Sequence, residues 1–209
     1  TLIFVKTNDS KITAIDIKTG KFMWVNSQIP APLSVRGSSS PIIYNDMVLV
    51  GFEDGKIISY NHLNGDINWQ IQIPSIKTDT IIDRLNDIDG KMLIDDGTLF
   101  AISYQGSLIA VDTFSGQVLW SRDASSLYGL DGDSENVFYN DNNGVLWSID
   151  KFSGKPLWKQ DKLYKRLISA PIYFNDLILI ADIENYVHIL EAQSGNIAVS
   201  YTHLTLPTR

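Results

Sequence analysis

The stretch Ala110-Val111-Asp112-Thr113-Phe114-Ser115-Gly116, followed four residues later by Trp120, decides the fold. Its alternating apolar residues predict a strand, and its aspartate and glycine predict a tight turn into the next strand. Glycine permits the positive φ that such a turn needs, and the aspartate can accept backbone N–H groups. The tryptophan then falls on the strand after the turn, where it can cover the junction with a neighbouring sheet.

The same pattern recurs along the chain, at glycines about 40 to 50 residues apart, a period that is typical of four-stranded propeller blades. Four of the five tryptophans lie four residues after such a glycine. A fifth copy ends at Gly195 and carries Val199 where tryptophan is expected. We therefore assign a structural docking role between blades to four pairs: Gly20 with Trp24, Gly65 with Trp69, Gly116 with Trp120, and Gly154 with Trp158.

The sequence as a whole predicts an all-β chain, a β-propeller of four-stranded blades. Strand-length apolar segments alternate with turns rich in Asn, Asp and Gly, and no segment has the pattern of a long helix. Residues 1–198 would form one partial propeller domain of about four and a half blades. We expect residues 199–209 to be a non-native tail, because they leave the repeat pattern and resemble the translated read-through of a sequencing adapter.

Composition and charge exclude several classes of function. The formal net charge is −7, and an acidic surface repels phosphate backbones, so we expect no nucleic-acid partner. The absence of cysteine excludes disulfides and thiolate chemistry, and no apolar run reaches the roughly 18 residues that span a bilayer. His62, His188 and His203 follow no metal-ligand spacing, and neither a nucleophile elbow nor a phosphate loop is present. We expect no catalytic residue, no metal and no cofactor.

Three segments between the repeats carry a more specific resemblance. They are residues 31–41 (APLSVRGSSSP), 82–89 (IDRLNDID) and 162–171 (KLYKRLISAP). Their order and spacing resemble the BamB family of outer-membrane protein assembly factors, whereas the glycine and tryptophan repeat alone identifies only the wider family of pyrroloquinoline-quinone-type propellers. The resemblance implies an eight-bladed ring and a non-catalytic scaffold, lipid-anchored at the periplasmic face of the bacterial outer membrane. The implied partners are the periplasmic repeat domain of BamA and its assembly complex, and the resemblance also allows unfolded outer-membrane proteins as ligands.

The family's partner-binding residues can be transferred by motif. Its Leu-x-Leu-Arg loop falls on Leu33, Val35 and Arg36, and its later aspartate pair falls on Asp87 and Asp89. Val35 stands where the family has leucine, which removes one methylene, worth about 0.8 kcal/mol at most. Prolines and glycine around Leu33 and Val35 predict a loop that could present these side chains to a partner. The alternative is that both pack beneath the loop while Arg36 is solvated.

Other interpretations of these residues remain open at this stage. Asp87 and Asp89 could meet basic residues of a partner or pair with Arg84 or Arg36 within the fold. An Asp-x-Asp pair also suggests calcium, but the ligands of a full calcium loop are missing. For Asp131-Gly132-Asp133 we predict a turn instead of a metal site. The alternatives for function are a quinone-dependent dehydrogenase fragment and a propeller interaction module with another partner.

Overall fold

The computed structural model describes residues 1–30, 39–74 and 87–202, which form nineteen β-strands. These residues contain no helix, and so none that is long and apolar enough to cross a membrane. All five sheets are antiparallel, and in each sheet the strands lie in the order in which they follow one another along the chain. The all-β prediction is confirmed. The strands divide between two compact units, Thr1–Leu127 and Tyr128–Arg209.

The first unit contains three sheets. Sheet 1 consists of β1 (Leu2–Thr7), β2 (Lys11–Asp16) and β3 (Phe22–Ser27). Sheet 2 consists of β4 (Ile42–Tyr44), β5 (Met47–Gly51), β6 (Lys56–Asn61) and β7 (Ile67–Gln72). Sheet 3 consists of β8 (Leu93–Asp95), β9 (Thr98–Ile102), β10 (Gly106–Asp112) and β11 (Val118–Ala124).

The second unit contains two four-stranded sheets. Sheet 4 consists of β12 (Asp131–Gly132), β13 (Asn136–Asn140), β14 (Leu146–Asp150) and β15 (Pro156–Gln160). Sheet 5 consists of β16 (Ile172–Phe174), β17 (Leu177–Ala181), β18 (Tyr186–Glu191) and β19 (Ile197–Thr202). Strand β19 therefore runs across the boundary predicted at residue 198. The single domain over residues 1–198 and the non-native origin of residues 199–209 stay predictions.

The turn before each tryptophan-bearing strand has one recurring construction. The preceding strand ends in an aspartate whose Oδ1 accepts a backbone N–H three residues later, at 2.8 Å in Asp16, 2.7 Å in Asp112 and 2.7 Å in Asp150. The Ser or Thr hydroxyl at that same position also donates to the carboxylate, and these bonds lower the pKa of all three aspartates. In sheet 2 the Asn61 side chain takes the place of aspartate. The pattern read from the sequence thus corresponds to a side-chain-capped turn.

One acidic segment differs from its prediction as a turn. Asp131 and Gly132 form the short first strand of sheet 4, and only Asp133 begins a turn, where it accepts the N–H of Glu135 at 2.8 Å. The Asp131 carboxylate instead accepts the N–H of Tyr173 at 2.9 Å and so joins sheet 4 to the first strand of sheet 5. This hydrogen bond joins residues that are 42 positions apart in the chain, so the turn pattern of the local sequence could not indicate it.

Tryptophans connect successive sheets within each unit. The indole Nε1 of Trp24 donates to the carbonyl of His62 at 3.0 Å, that of Trp69 to Thr113 at 2.8 Å, and that of Trp158 to Ala192 at 3.0 Å. Each acceptor lies three residues before the turn glycine of the next sheet. The rings lie so close to Gly65, Gly116 and Gly195 that a Cβ on these glycines would come within 2.6, 2.7 and 2.5 Å of them. Each indole is thus fixed by one hydrogen bond and one close contact with glycine.

Candidate partner-binding surface

The structure describes only part of the predicted surface. Leu33, Val35 and Arg36 lie outside the described residues, so their assignment stays a prediction. Asp87 and Asp89 are described and lie in the segment that leads into β8. Of the predicted surface, only this segment therefore has a described geometry.

Ile88 anchors the segment between the two aspartates. Its side chain is buried in a core cluster with Leu49 and Ile57 of sheet 2, and its N–H donates to the carbonyl of Phe52 at 3.4 Å. A Cβ on Gly51 would come within 2.7 Å of Ile88 Cγ2, so the isoleucine occupies the space that this glycine leaves free. The carbonyl of Asp87 accepts the N–H of Tyr104 at 2.9 Å and ties the segment to sheet 3.

The two aspartates differ in exposure. Asp87 is 0% exposed, whereas Asp89 is half-buried. Among the described residues, no hydrogen-bond donor contacts the buried Oδ1 of Asp89. Asp89 is therefore the more exposed of the two residues, whereas Asp87 is fully buried.

A buried ion pair lies in the same region of the first unit. Lys6, on β1, approaches the carboxylate of Glu53, in the β5–β6 turn, at 2.9 Å, and their side chains are only 1% and 8% exposed. The two groups are within ion-pair distance but are not aligned as a hydrogen bond. Ser10 donates its hydroxyl to the other Glu53 oxygen at 3.0 Å, and the Lys6 ammonium lies 5.4 Å from the centre of the Phe52 ring.

The ion pair and Asp89 interact electrostatically. Burial raises the pKa of Asp89 to about 6, the positive charge of Lys6 opposes this rise, and the negative charge of Glu53 adds to it. A carboxylate with this pKa is ionised at neutral pH and gains a proton in mildly acidic solution. The negative charge of Asp89 therefore depends on pH within the range just below neutrality.

Asp89 also borders an open groove between the first strands of sheets 2 and 3. The groove has a volume of about 700 Å³ and is lined by Ser40, Ile42, Ile43, Tyr44, Asp89, Lys91, Met92, Leu93 and Ile94. Its walls are largely aliphatic, with Asp89 and Lys91 as the charged members. Apolar side chains beside a few charges are typical of a surface that binds another protein.

A second charged cluster lies in the second unit. The Asp182 side chain is 0% exposed, and its Oδ2 contacts Arg166 at 2.9 Å and His188 Nε2 at 3.0 Å. Its Oδ1 accepts the N–H groups of Glu184 and Tyr186, each at 3.0 Å. Burial raises the pKa of Asp182, but the hydrogen bonds from His188, the backbone and Arg166 outweigh burial and lower the pKa to about 2. This saturated cluster stabilises the β17–β18 hairpin.

Sequence reasoning did not single out Lys6, Glu53 or the Asp182 cluster. A signal for Lys6 existed, because it shares a strand face with Leu2 and Phe4, and a lysine in phase with apolar residues indicates a buried charge that needs a partner. No comparable signal existed for Glu53, which lies in a turn where a glutamate is ordinarily solvated. Only the packing of sheet 1 against sheet 2 brings Lys6 and Glu53 together.

Comparison with known proteins identifies the family. A family model described as outer membrane protein assembly factor BamB matches residues 1–160. The chain belongs to the BamB family. A curated BamB from Yersinia pestis is 31% identical over 195 residues, which are 93% of this chain and 49% of that protein. A BamB from Vibrio cholerae is 35% identical over 194 residues, covering 93% of this chain and 50% of the relative. The chain spans about half the length of these curated relatives.

Solved structures agree with this assignment. The crystal structure of BamB from Moraxella catarrhalis matches with a TM-score of 0.89 and 28% identity, covering 97% of this chain and 61% of that one. A europium-containing methanol dehydrogenase matches with a TM-score of 0.73 at 11% identity, covering 97% of this chain and 49% of that one, and at this identity it shows the fold alone. The five sheets are thus blades of the β-propeller fold, and the predicted fold class and family are confirmed.

Proposed function

We propose that this chain belongs to a non-catalytic scaffold of outer-membrane protein assembly, which binds the periplasmic repeats of BamA. The observation that carries the proposal is the match of residues 1–160 to the family of BamB assembly factors. The enzyme alternative has weaker support, because a methanol dehydrogenase and two quinohemoprotein alcohol dehydrogenases resemble the chain only in fold, at 11% to 14% identity. We further propose that the protein acts at the periplasmic face of the outer membrane, where a lipid anchor retains it.

The proposed contact surface combines an apolar pair with charges of both signs. Leu33 and Val35 would supply apolar contact, Arg36 a positive charge and Asp89 a negative charge. Asp87, which is fully buried, would not contact the partner but would help to hold the segment that presents Asp89. Arginine is enriched among the residues that dominate binding energy in interfaces, and apolar contacts around such a residue exclude water from it.

Calorimetric binding tests the proposal directly. The full-length product of the gene that encodes this chain would be titrated with the periplasmic repeats of its cognate BamA. We expect Arg36→Glu and Asp89→Lys each to weaken binding by about tenfold or more, since both reverse a charge in the surface. Asp89→Lys is preferred over a change at Asp87, because a lysine at a fully buried position would test folding instead of binding.

Asp46→Lys is the matched control. Asp46 has a 91% exposed side chain in the β4–β5 turn, at the opposite end of sheet 2 from Glu53, and the substitution makes the same charge change. We expect it to bind like the parent and to melt at the same temperature. An absence of binding by the parent would reject BamA as the partner. Equal binding by parent and Asp89→Lys would remove Asp89 from the surface.

A further inference from the structure

We infer that the buried Lys6–Glu53 pair is a positioning element of the candidate surface, which holds the segment of Asp87 to Asp89 and controls the electrostatic environment of Asp89. This inference rests on the proposed function for its effect on binding. Its structural part, the control of Asp89, concerns the protein alone. Neither Lys6 nor Glu53 would touch the partner.

A continuous set of contacts leads from the pair to the aspartates. Ser10 and Lys6, both from sheet 1, contact the Glu53 carboxylate at 3.0 and 2.9 Å. The neighbouring residue, Phe52, lies beneath the Lys6 ammonium and accepts the N–H of Ile88. Ile88 in turn separates Asp87 from Asp89. The pair therefore connects sheet 1 to the segment that enters sheet 3 through the β5–β6 turn of sheet 2.

The cost of burying the pair indicates a role for its placement. Removing a lysine and a glutamate from water costs several kcal/mol, which mutual attraction recovers only with good geometry and further hydrogen bonds. Here the ammonium and carboxylate are not aligned as a hydrogen bond, and among the described residues no hydrogen-bond acceptor is aligned with Lys6 Nζ. Within the described residues, the hydrogen bond from Ser10 to Glu53 is thus the only hydrogen bond of the two charged groups that can offset this cost. A role in setting the field around Asp89 explains why charges occupy this position.

The opposite signs of the two charges make the inference sharply testable. Of the titratable groups around Asp89 in the described part of the chain, Lys6 from β1 and Glu53 from the β5–β6 turn act on its pKa in opposite directions. Tyr44 and Lys91 border the same groove, and Asp87 lies two residues away. Removing Lys6 should move the protonation of Asp89 to higher pH, and removing Glu53 should move it to lower pH.

The experiment measures this titration in the free full-length product and then in binding to BamA repeats. Carboxyl carbon NMR of aspartate-labelled protein, with Asp89→Asn to assign the signal, gives the titration midpoint. We expect Lys6→Met to raise the midpoint and Glu53→Gln to lower it, each by about half a pH unit or more. Lys6→Arg should keep the parent midpoint because it retains the charge. Lys56→Met, which removes a lysine from the same hairpin, should also leave it unchanged.

The pH profile of BamA binding should follow the same shifts, with binding lost as Asp89 gains its proton. The double variant Lys6→Met with Glu53→Gln removes both buried charges, so it carries the test where a single variant does not fold. We expect it to fold, to keep a midpoint near that of the parent, and to bind at least about fivefold more weakly because the segment loses its support.

Two kinds of failure are distinguishable. Without BamA binding by the parent, the proposed function fails, while the NMR midpoints still decide whether the pair controls Asp89. Unchanged midpoints in folded single variants overturn the inference even if the parent binds. Where only the double variant folds, an affinity equal to that of the parent overturns it.

Discussion

At the scale of single residues, the repeat depends on glycines that lack a side chain for two separate reasons. Gly65 has a φ of 77° and lies against the indole of Trp24, so both its backbone conformation and its surroundings exclude a Cβ. Gly20 has nearly the same conformation, with a φ of 68°, but no atom lies within 4 Å of the position of its Cβ. The two glycines therefore separate the cost of the left-handed backbone from the cost of displacing a tryptophan.

We predict that Gly65→Ala lowers the free energy of unfolding by about 3 kcal/mol or more, because strain at positive φ adds to a clash with the Trp24 ring. Gly20→Ala should cost only about 1 kcal/mol, the price of the backbone alone. Urea unfolding of both variants measures the difference. Similar losses in the two variants would mean that the indole moves aside without cost and that the contact does not constrain the sheets.

At the scale of an element, the β17–β18 hairpin depends on one carboxylate. Asp182 accepts two backbone N–H groups of its own turn and contacts Arg166 and His188. The lowered pKa of Asp182 has a definite consequence for stability. Because the folded-state pKa of about 2 lies below the ordinary aspartate pKa of 3.8, the carboxylate stabilises the fold above about pH 4. This stabilisation is lost as the pH falls towards 2.

We predict that Asp182→Asn destabilises the protein by about 2 kcal/mol at neutral pH, since the amide cannot reproduce the charged contacts. The difference in the free energy of unfolding between parent and variant should become smaller between about pH 4 and 2, as the Asp182 carboxylate of the parent gains a proton. Denaturant unfolding across this pH range checks the prediction. Glu184→Gln is the control, because Glu184 is exposed in the same hairpin and should contribute less than about 1 kcal/mol. If this difference in free energy stayed constant down to pH 2, the destabilisation would come from altered shape and hydrogen bonding and not from the lost charge.

At the scale of the whole molecule, the chain combines a net charge of −7 with a candidate surface whose described charges include Asp89 and Lys91. Long-range attraction to a basic partner surface would accelerate association and would be screened by salt. Apolar contacts by Leu33 and Val35 would respond much less to salt. The salt dependence of binding therefore measures how much of the affinity comes from ionic contacts and how much from apolar contacts.

We predict that BamA binding by the full-length product weakens as salt is raised at neutral pH, and that Asp89→Asn both weakens binding and makes it less sensitive to salt. Surface plasmon resonance at several salt concentrations would measure the slope of the affinity against salt concentration. The exposed-site variant Asp46→Asn should keep the parent's slope apart from a small change due to net charge. A slope in Asp89→Asn equal to that of the parent would indicate that Asp89 makes no ionic contact.

Much of the fold could be predicted because its signals are local. The turn from Asp112 to Gly116 needs only neighbouring residues to form, and a tryptophan at a constant offset from each glycine indicates a repeated sheet-to-sheet contact. The alternating residues before the turn at Asp112 predict a strand, and the structure places them in β10. These features depend on periodicity and turn chemistry, which the order of the amino acids contains directly.

The candidate surface was predictable only in part. The sequence places Asp87 and Asp89 in one segment, but only the structure shows that Asp87 is fully buried, that Asp89 is half-buried and that Ile88 between them packs against Gly51. Likewise, Lys6 and Glu53 are far apart in the chain and become an ion pair only where sheet 1 packs on sheet 2. Strand pattern, turns and docking residues are encoded locally, whereas burial and charge environment depend on which distant side chains share a space. The backbone of each blade can therefore be read from the sequence, but the state of its charges requires the packed structure.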